Sequence, residues 1–130
     1  MPVMQDSIFT KIIKGEIPSY KIYEDSKTYA FLDIHPDRPG HTLVVPKVQI
    51  EKFYDLSDDD FSHLMLVSKK IARHMEDVLG QRIILHIIGA DVPHVHIHLV
   101  PANPKHVPSE PPQASEEELA VMAKKLQIKS

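Results

Sequence analysis

The residues of this chain best suited to chemistry lie in one run, "HVHIHLV", from His94 to Val100. Side chains of a β-strand alternate between its two faces. The spacing therefore predicts a strand with His94, His96 and His98 on one face and Val95, Ile97 and Leu99 on the other. On a helix the two sets would interleave. Alternate strand positions stand roughly 6.5–7 Å apart, so two imidazoles can reach one small ligand. Three uses of such a face are open. It could be half-wet packing surface, although imidazole is a poor default for packing. It could hold Zn²⁺, since two strand imidazoles and a third nitrogen suit that ion, with His86 or His41 as the further ligand. Or it could serve phosphate chemistry, in which one neutral imidazole attacks phosphorus while its neighbours donate hydrogen bonds to the oxygens.

The elements that must position this face are legible in outline. Ile8, Phe9, Ile12 and Ile13 predict a short helix from Ser7 to about Lys14, ended at Gly15. "SYKIYED" and "TYAFLDIH" predict two strands with a tight turn between them, and after the loop "PDRPG" the run "HTLVVP" predicts a buried strand closed by Pro46. A short helix is expected over Val48 to Tyr54. A long one follows, capped by Ser57, closed by Gly80, and carrying a core stripe of Leu64, Val67, Ile71, Met75 and Val78. "QRIILHII" predicts a strand that brings His86 beside the triple-histidine strand. After a loop over 102–114, Ser115 and Glu118 form a capping box for a C-terminal helix from about Glu116 to Leu126. Short connections favour antiparallel pairing, so the expected fold is α+β: an antiparallel sheet of about five strands, a long central helix, a short N-terminal helix and a C-terminal helix.

The whole chain sets limits on this reading. Its 130 residues fit one domain, 1–130, with a core over about 7–101, and 42% hydrophobic and 25% charged residues match ordinary globular composition. No apolar run approaches the roughly 18 residues of a membrane span, and the N-terminus lacks an export pattern, so a cytoplasmic protein with no membrane partner is expected. Cysteine is absent, which removes disulfides, thiol nucleophiles and thiolate zinc sites. A net charge of -3 argues against a nucleic-acid partner. Nine histidines are many for this length.

"HVHIHLV" matches the signature of the histidine-triad (HIT) family, and "IFTKIIKGEIPSYKIYEDSKTYAFLDIHPDRPGHTLVVPK" resembles the N-terminal half of its nucleotide-binding, hydrolase-like branch. The resemblance runs in order over residues 7–101. It implies a HIT-like fold, a homodimer, and an enzyme that acts at an α-phosphorus through a nucleotidyl-histidine, on adenylated amines (phosphoramidates) or dinucleoside polyphosphates. His96 would be the nucleophile, with its other ring nitrogen donating to a backbone carbonyl; His98 would contact the phosphate, His94 would support the site, and His41 would orient the cluster. Asp33 would accept from the ribose hydroxyls of a purine nucleotide of the AMP type, and Phe31 and Ile34 would wall the base. No cofactor is required on this reading, and a divalent cation would assist only a polyphosphate substrate. Two rivals are a nucleotide-binding or sensing module with little turnover, and the histidine metal site.

The chain departs from the family pattern in one segment. In "LHIIGADVPH", His86 takes the position of the usual asparagine, Ala90 and Asp91 stand where a glutamine and a hydroxyl residue are usual, and the loop is shorter. These positions lie at the phosphate and the leaving group in the family, so His86, Ala90 and Asp91 belong with the nucleotide-binding set. Members that bind a structural zinc carry cysteines near the N-terminus, where this chain has Ser7 and Thr10, and the resemblance therefore implies that this zinc is absent.

Overall fold

The computed structural model describes residues 5–87, 91–102 and 115–127. The order of elements is α1 (Ile8–Ile13), β1 (Lys21–Glu24), β2 (Thr28–Leu32), β3 (Thr42–Pro46), a 3₁₀ turn (Phe53–Asp55), α2 (Asp58–Leu79), β4 (Ile83–Ile87), β5 (Ile97–Pro101) and α3 (Glu116–Leu126). The five strands form one antiparallel sheet in the order β1-β2-β3-β5-β4. The α+β class is therefore as expected. Ala90 and the loop over 103–114 lie outside the described residues.

Alternation along the strands divides the sheet into two faces. Ala30, Val44, Val95, Ile97 and Leu99 pack against Leu64, Val67, Ile71 and Met75 of α2 and form the main core. The opposite face carries Tyr29, Phe31, Leu43 and Val45, which meet Phe9 and Ile12 of α1. His98 pairs with Leu43 on one side and with His86 on the other, so the imidazoles lie on the α1 face. The sheet therefore presents hydrocarbon to α2 and histidine to the side that the much shorter α1 covers only in part.

The helix ends follow from their capping residues. Ser7 and Ser57 accept from the backbone N–H groups of Thr10 and Asp60, and Asp58, Asp59 and Asp60 place carboxylates against the positive end of the α2 dipole. Gly80 closes α2 in the left-handed conformation at φ 68°, where a side chain would be strained. Ser115 caps α3 through the N–H of Glu118, and every described residue of α3 is exposed. Among the described residues no helix is long and apolar enough to cross a membrane.

Three local expectations are corrected. Val48 to Tyr54 forms no helix beyond the 3₁₀ turn, because its groups bond to distant ones: the Ile50 carbonyl accepts from Val95 N–H, and the Gln49 side chain binds Ser7 and Thr10. Ladder pairing in β5 starts at Ile97 rather than His94. Pro46 has no N–H to give, and its carbonyl is taken by the His94 ring. Val78, expected in the core stripe, is exposed at 67%, and the stripe ends at the buried Met75.

Candidate active site

The imidazoles of His41, His94, His96 and His98 are fixed by their hydrogen bonds, and the partners indicate which nitrogen carries hydrogen. His96 Nδ1 lies 2.7 Å from the His94 carbonyl, so Nδ1–H donates, and in the neutral ring the lone pair is on Nε2. The side chain is 1% exposed and lines a cavity of about 290 Å³ together with His98, Asp33 and Asp91. The edge of the Phe9 ring meets the His96 ring at 4.9 Å and confines it.

A second chain of bonds fixes His98. The Asp37 backbone N–H donates to His41 Nδ1 at 3.1 Å, so the hydrogen of His41 sits on Nε2. That Nε2–H donates to His98 Nδ1 at 2.9 Å, and His98 consequently carries its own hydrogen on Nε2. The result is a donor on His98 beside a lone pair on His96, with ring centroids 5.0 Å apart. Burial, and then the neighbouring imidazoles of His96, His86 and His41, depress the His98 pKa to about 4. His98 is therefore neutral near pH 7.

His94 has a different place. It is fully buried, its Nε2–H donates to the Pro46 carbonyl at 2.8 Å, and its Nδ1 accepts from the Ser7 hydroxyl at 2.7 Å. Burial lowers its pKa, against the opposing effect of the hydrogen bond to the Pro46 carbonyl. Ser7 N–H and the Thr10 hydroxyl both donate to Gln49 Oε1, at 2.7 and 2.6 Å. His94 thus ties the start of α1 to the end of β3 and turns no nitrogen to the cavity. This donor set of one imidazole, two hydroxyls and an amide is closed by its own hydrogen bonds, contains no thiolate, and does not fit a resident zinc.

Asp33 follows the end of β2, its N–H donating to the His41 carbonyl. One carboxylate oxygen accepts from His35 N–H at 2.9 Å, and the other stands 3.7 Å from His41 Nε2. Phe31 and Ile34 both line the cavity, Phe31 from the buried sheet face and Ile34 from an exposed position. His86 stacks on His98 with centroids 4.8 Å apart and rings 9° from parallel; its Nδ1 is buried without a partner among the described residues, and the ring lies one strand outward of the cavity wall. Asp91 lines the cavity with Oδ1 3.5 Å from His96 Nε2, and its side chain is 72% exposed.

The structure therefore brings His96, His98, Asp33, Phe31, Ile34 and Asp91 to one cavity, with His41 and His86 against His98 and His94 beneath. Sequence reasoning missed the backbone donors of His35 and Asp37, which no side-chain pattern announces. It also missed Gln49, for which there was no signal, and read Phe9 only as a helix face. Asp33, His41 and His98 offer three ligand atoms within 4.8 Å of one another. A metal there would require His41 Nε2 to lose its hydrogen to Nδ1, where the Asp37 N–H already points. The histidine metal reading built on His94 and His96 fails more simply, because both nitrogens of His94 are engaged.

The chain that carries these alternating histidines is similar to known proteins. The family profile for the HIT domain matches residues 14–105. The chain is 42% identical over 98 residues to the adenosine 5′-monophosphoramidase HNT1 of Saccharomyces cerevisiae, a match covering 72% of this chain and 61% of that protein. It is 39% identical over 104 residues to the protein of the same name in Candida albicans, covering 72% and 68%. A crystal structure of a HIT family member from Bacillus subtilis superposes with a TM-score of 0.81 at 32% identity, over 97% of this chain and all of the other. The chain belongs to the HIT family.

Proposed function

We propose that this protein is a nucleoside phosphoramidate hydrolase in which His96 forms a covalent nucleotidyl intermediate. The observation that supports this reading is the hydrogen bond of His96: Nδ1–H is held by the His94 carbonyl, so in the neutral ring Nε2 carries the lone pair, and the ring lines the cavity beside His98. Family membership and relatives named as adenosine 5′-monophosphoramidases support the class of nucleotide hydrolase. Since the chain spans 61% of the yeast protein's length, that protein's whole activity is carried over only as part of this proposal.

In the first step the Nε2 lone pair forms a bond to the α-phosphorus, and the phosphorus–nitrogen bond of the substrate breaks. The departing amine keeps the electron pair and takes a proton from water. His98 Nε2–H donates to a phosphate oxygen as charge builds there. In the second step water attacks phosphorus, its proton passes to the hydroxide left by the first step, and the phosphorus–Nε2 bond breaks, releasing the nucleoside monophosphate with His96 restored. Asp33 accepts from the ribose hydroxyls, and Phe31 and Ile34 flank the base. His41 and His94 act as positioning residues through His98 and the His96 backbone support. We read residues 1–130 as one HIT domain that pairs with a second copy. The edge strand β4 and the exposed Ile84 and Leu85 support that pairing, and a monomer mass in sedimentation at micromolar concentration contradicts it.

Asp91 favours one second reading, a nucleotide-binding module with little turnover, because an ionised carboxylate 3.5 Å from His96 Nε2 opposes an entering phosphate. Trapping separates the two. Phosphorus–nitrogen bonds to histidine survive alkali, so an alkaline quench during turnover followed by mass spectrometry is expected to find one nucleotidyl group on the His96 peptide. Tight nucleotide binding with no such adduct on any phosphoramidate supports the module instead.

A further inference from the structure

The cavity beside His96 has an unusual charge pattern for a site that handles nucleotides. Its charged lining residues are the two carboxylates Asp33 and Asp91, and no lysine or arginine lines it among the described residues. Asp33 is held, with one oxygen on His35 N–H and the other near His41. Asp91 is not: among the described residues its Oδ1 accepts only the adjacent Val92 N–H at 3.1 Å, and the side chain extends into solvent at the mouth.

The position of Asp91 limits what can be attached to the reacting phosphorus. Phosphorus must come within about 3–3.5 Å of His96 Nε2 before attack. Asp91 Oδ1 stands 3.5 Å from that nitrogen, so phosphorus comes within about 7 Å of the carboxylate, inside the reach of a charge borne on a flexible departing group. A departing polyphosphate would bring negative charge toward Asp91, with no basic side chain among the described lining residues to offset it. A departing amine that bears a second, protonated amino group would bring a complementary charge.

We propose that Asp91 is a specificity-determining residue that selects phosphoramidates whose departing amine carries an additional ammonium group and disfavours nucleoside polyphosphates. The inference rests on the phosphoramidase reading and adds no step to it. The same phosphorus–nitrogen bond breaks, the bond to His96 forms, and Asp91 remains a carboxylate that holds the remote ammonium.

The test uses three substrates sharing adenosine: the 5′-phosphoramidate of 1,5-diaminopentane, the 5′-phosphoramidate of pentylamine, and diadenosine triphosphate. Values of kcat/KM are measured in EDTA for the wild type and for Asp91→Asn. Wild type is expected to prefer the diamine compound over the pentylamine compound by about 2- to 5-fold, the scale of an exposed ion pair, and to lose that preference in high salt. In Asp91→Asn the ratio falls to about one, and turnover of the triphosphate rises relative to the pentylamine compound. An equal diamine preference in both proteins overturns the inference, as does a wild type that prefers the triphosphate. Equal turnover of the two phosphoramidates by wild type removes the selectivity and leaves the phosphoramidase reading standing. No turnover of either phosphoramidate removes both.

Discussion

Two imidazoles in the cavity have opposite hydrogen-bonding roles, and each role is assigned by a group that is not itself in the cavity. His96 is a lone-pair donor because the carbonyl of His94, two residues away, takes its other nitrogen. His98 is an N–H donor because His41, 57 residues earlier, donates to its Nδ1. This separates the legible from the illegible at this scale. The alternation of "HVHIHLV" states which residues share a face, but a tautomer depends on a partner brought in by β3 and on the Asp37 N–H behind it. The reading of His94 as support was general in the sequence and becomes specific in the structure, where it clamps α1 to β3. The role of His41 can be isolated. In His41→Ala, His98 loses the donor that fixes its tautomer, and kcat is expected to fall roughly 10-fold or more, within the range for a lost electrostatic contact to the transition state. His41→Gln, whose amide can donate to the same nitrogen, should recover part of kcat. An Ala variant with unchanged kcat and pH profile contradicts the assignment.

At the scale of elements, the histidine strand works because its two neighbours on the α1 side do different things. β3 supplies the Pro46 carbonyl for His94, and α1 supplies Ser7, whose hydroxyl both caps the helix and donates to His94 Nδ1. The helices, the strands and the antiparallel class of the sheet were legible because they rest on local period and on turn chemistry. The segment from Val48 to Tyr54 was misread as helix, since its hydrogen bonds run to Val95, Ser7 and Thr10, and no local pattern encodes such bonds. Ser7→Ala removes the cap and leaves the buried His94 Nδ1 with only the longer contact to the Thr10 hydroxyl at 3.4 Å. The expected loss is about 1–3 kcal/mol in urea unfolding, combining a helix cap with a buried unsatisfied acceptor. A variant as stable as wild type contradicts the dual role.

At the scale of the whole molecule, the imidazole cluster makes stability depend on pH with a defined sign. An unfolded histidine titrates near about 6.5, whereas His98 in the fold titrates at about 4. Between these values the unfolded chain takes up a proton that the folded one does not, so folding is disfavoured as pH falls from about 6.5 toward 4 and is unaffected by His98 above that window. The depressed pKa of His94 acts in the same direction. The melting temperature is expected to drop from pH 7.5 to pH 5, and to drop less in His98→Asn; equal slopes in the two proteins contradict the buried neutral assignment. The central claim is that the face announced by "HVHIHLV" is a nucleophilic site that needs no bound metal. Its most direct test is turnover of adenosine 5′-phosphoramidate in excess EDTA by wild type and by a folded His96→Ala protein side by side. Turnover by wild type alone is the expected result, and equal turnover by both, or none by either, contradicts the claim.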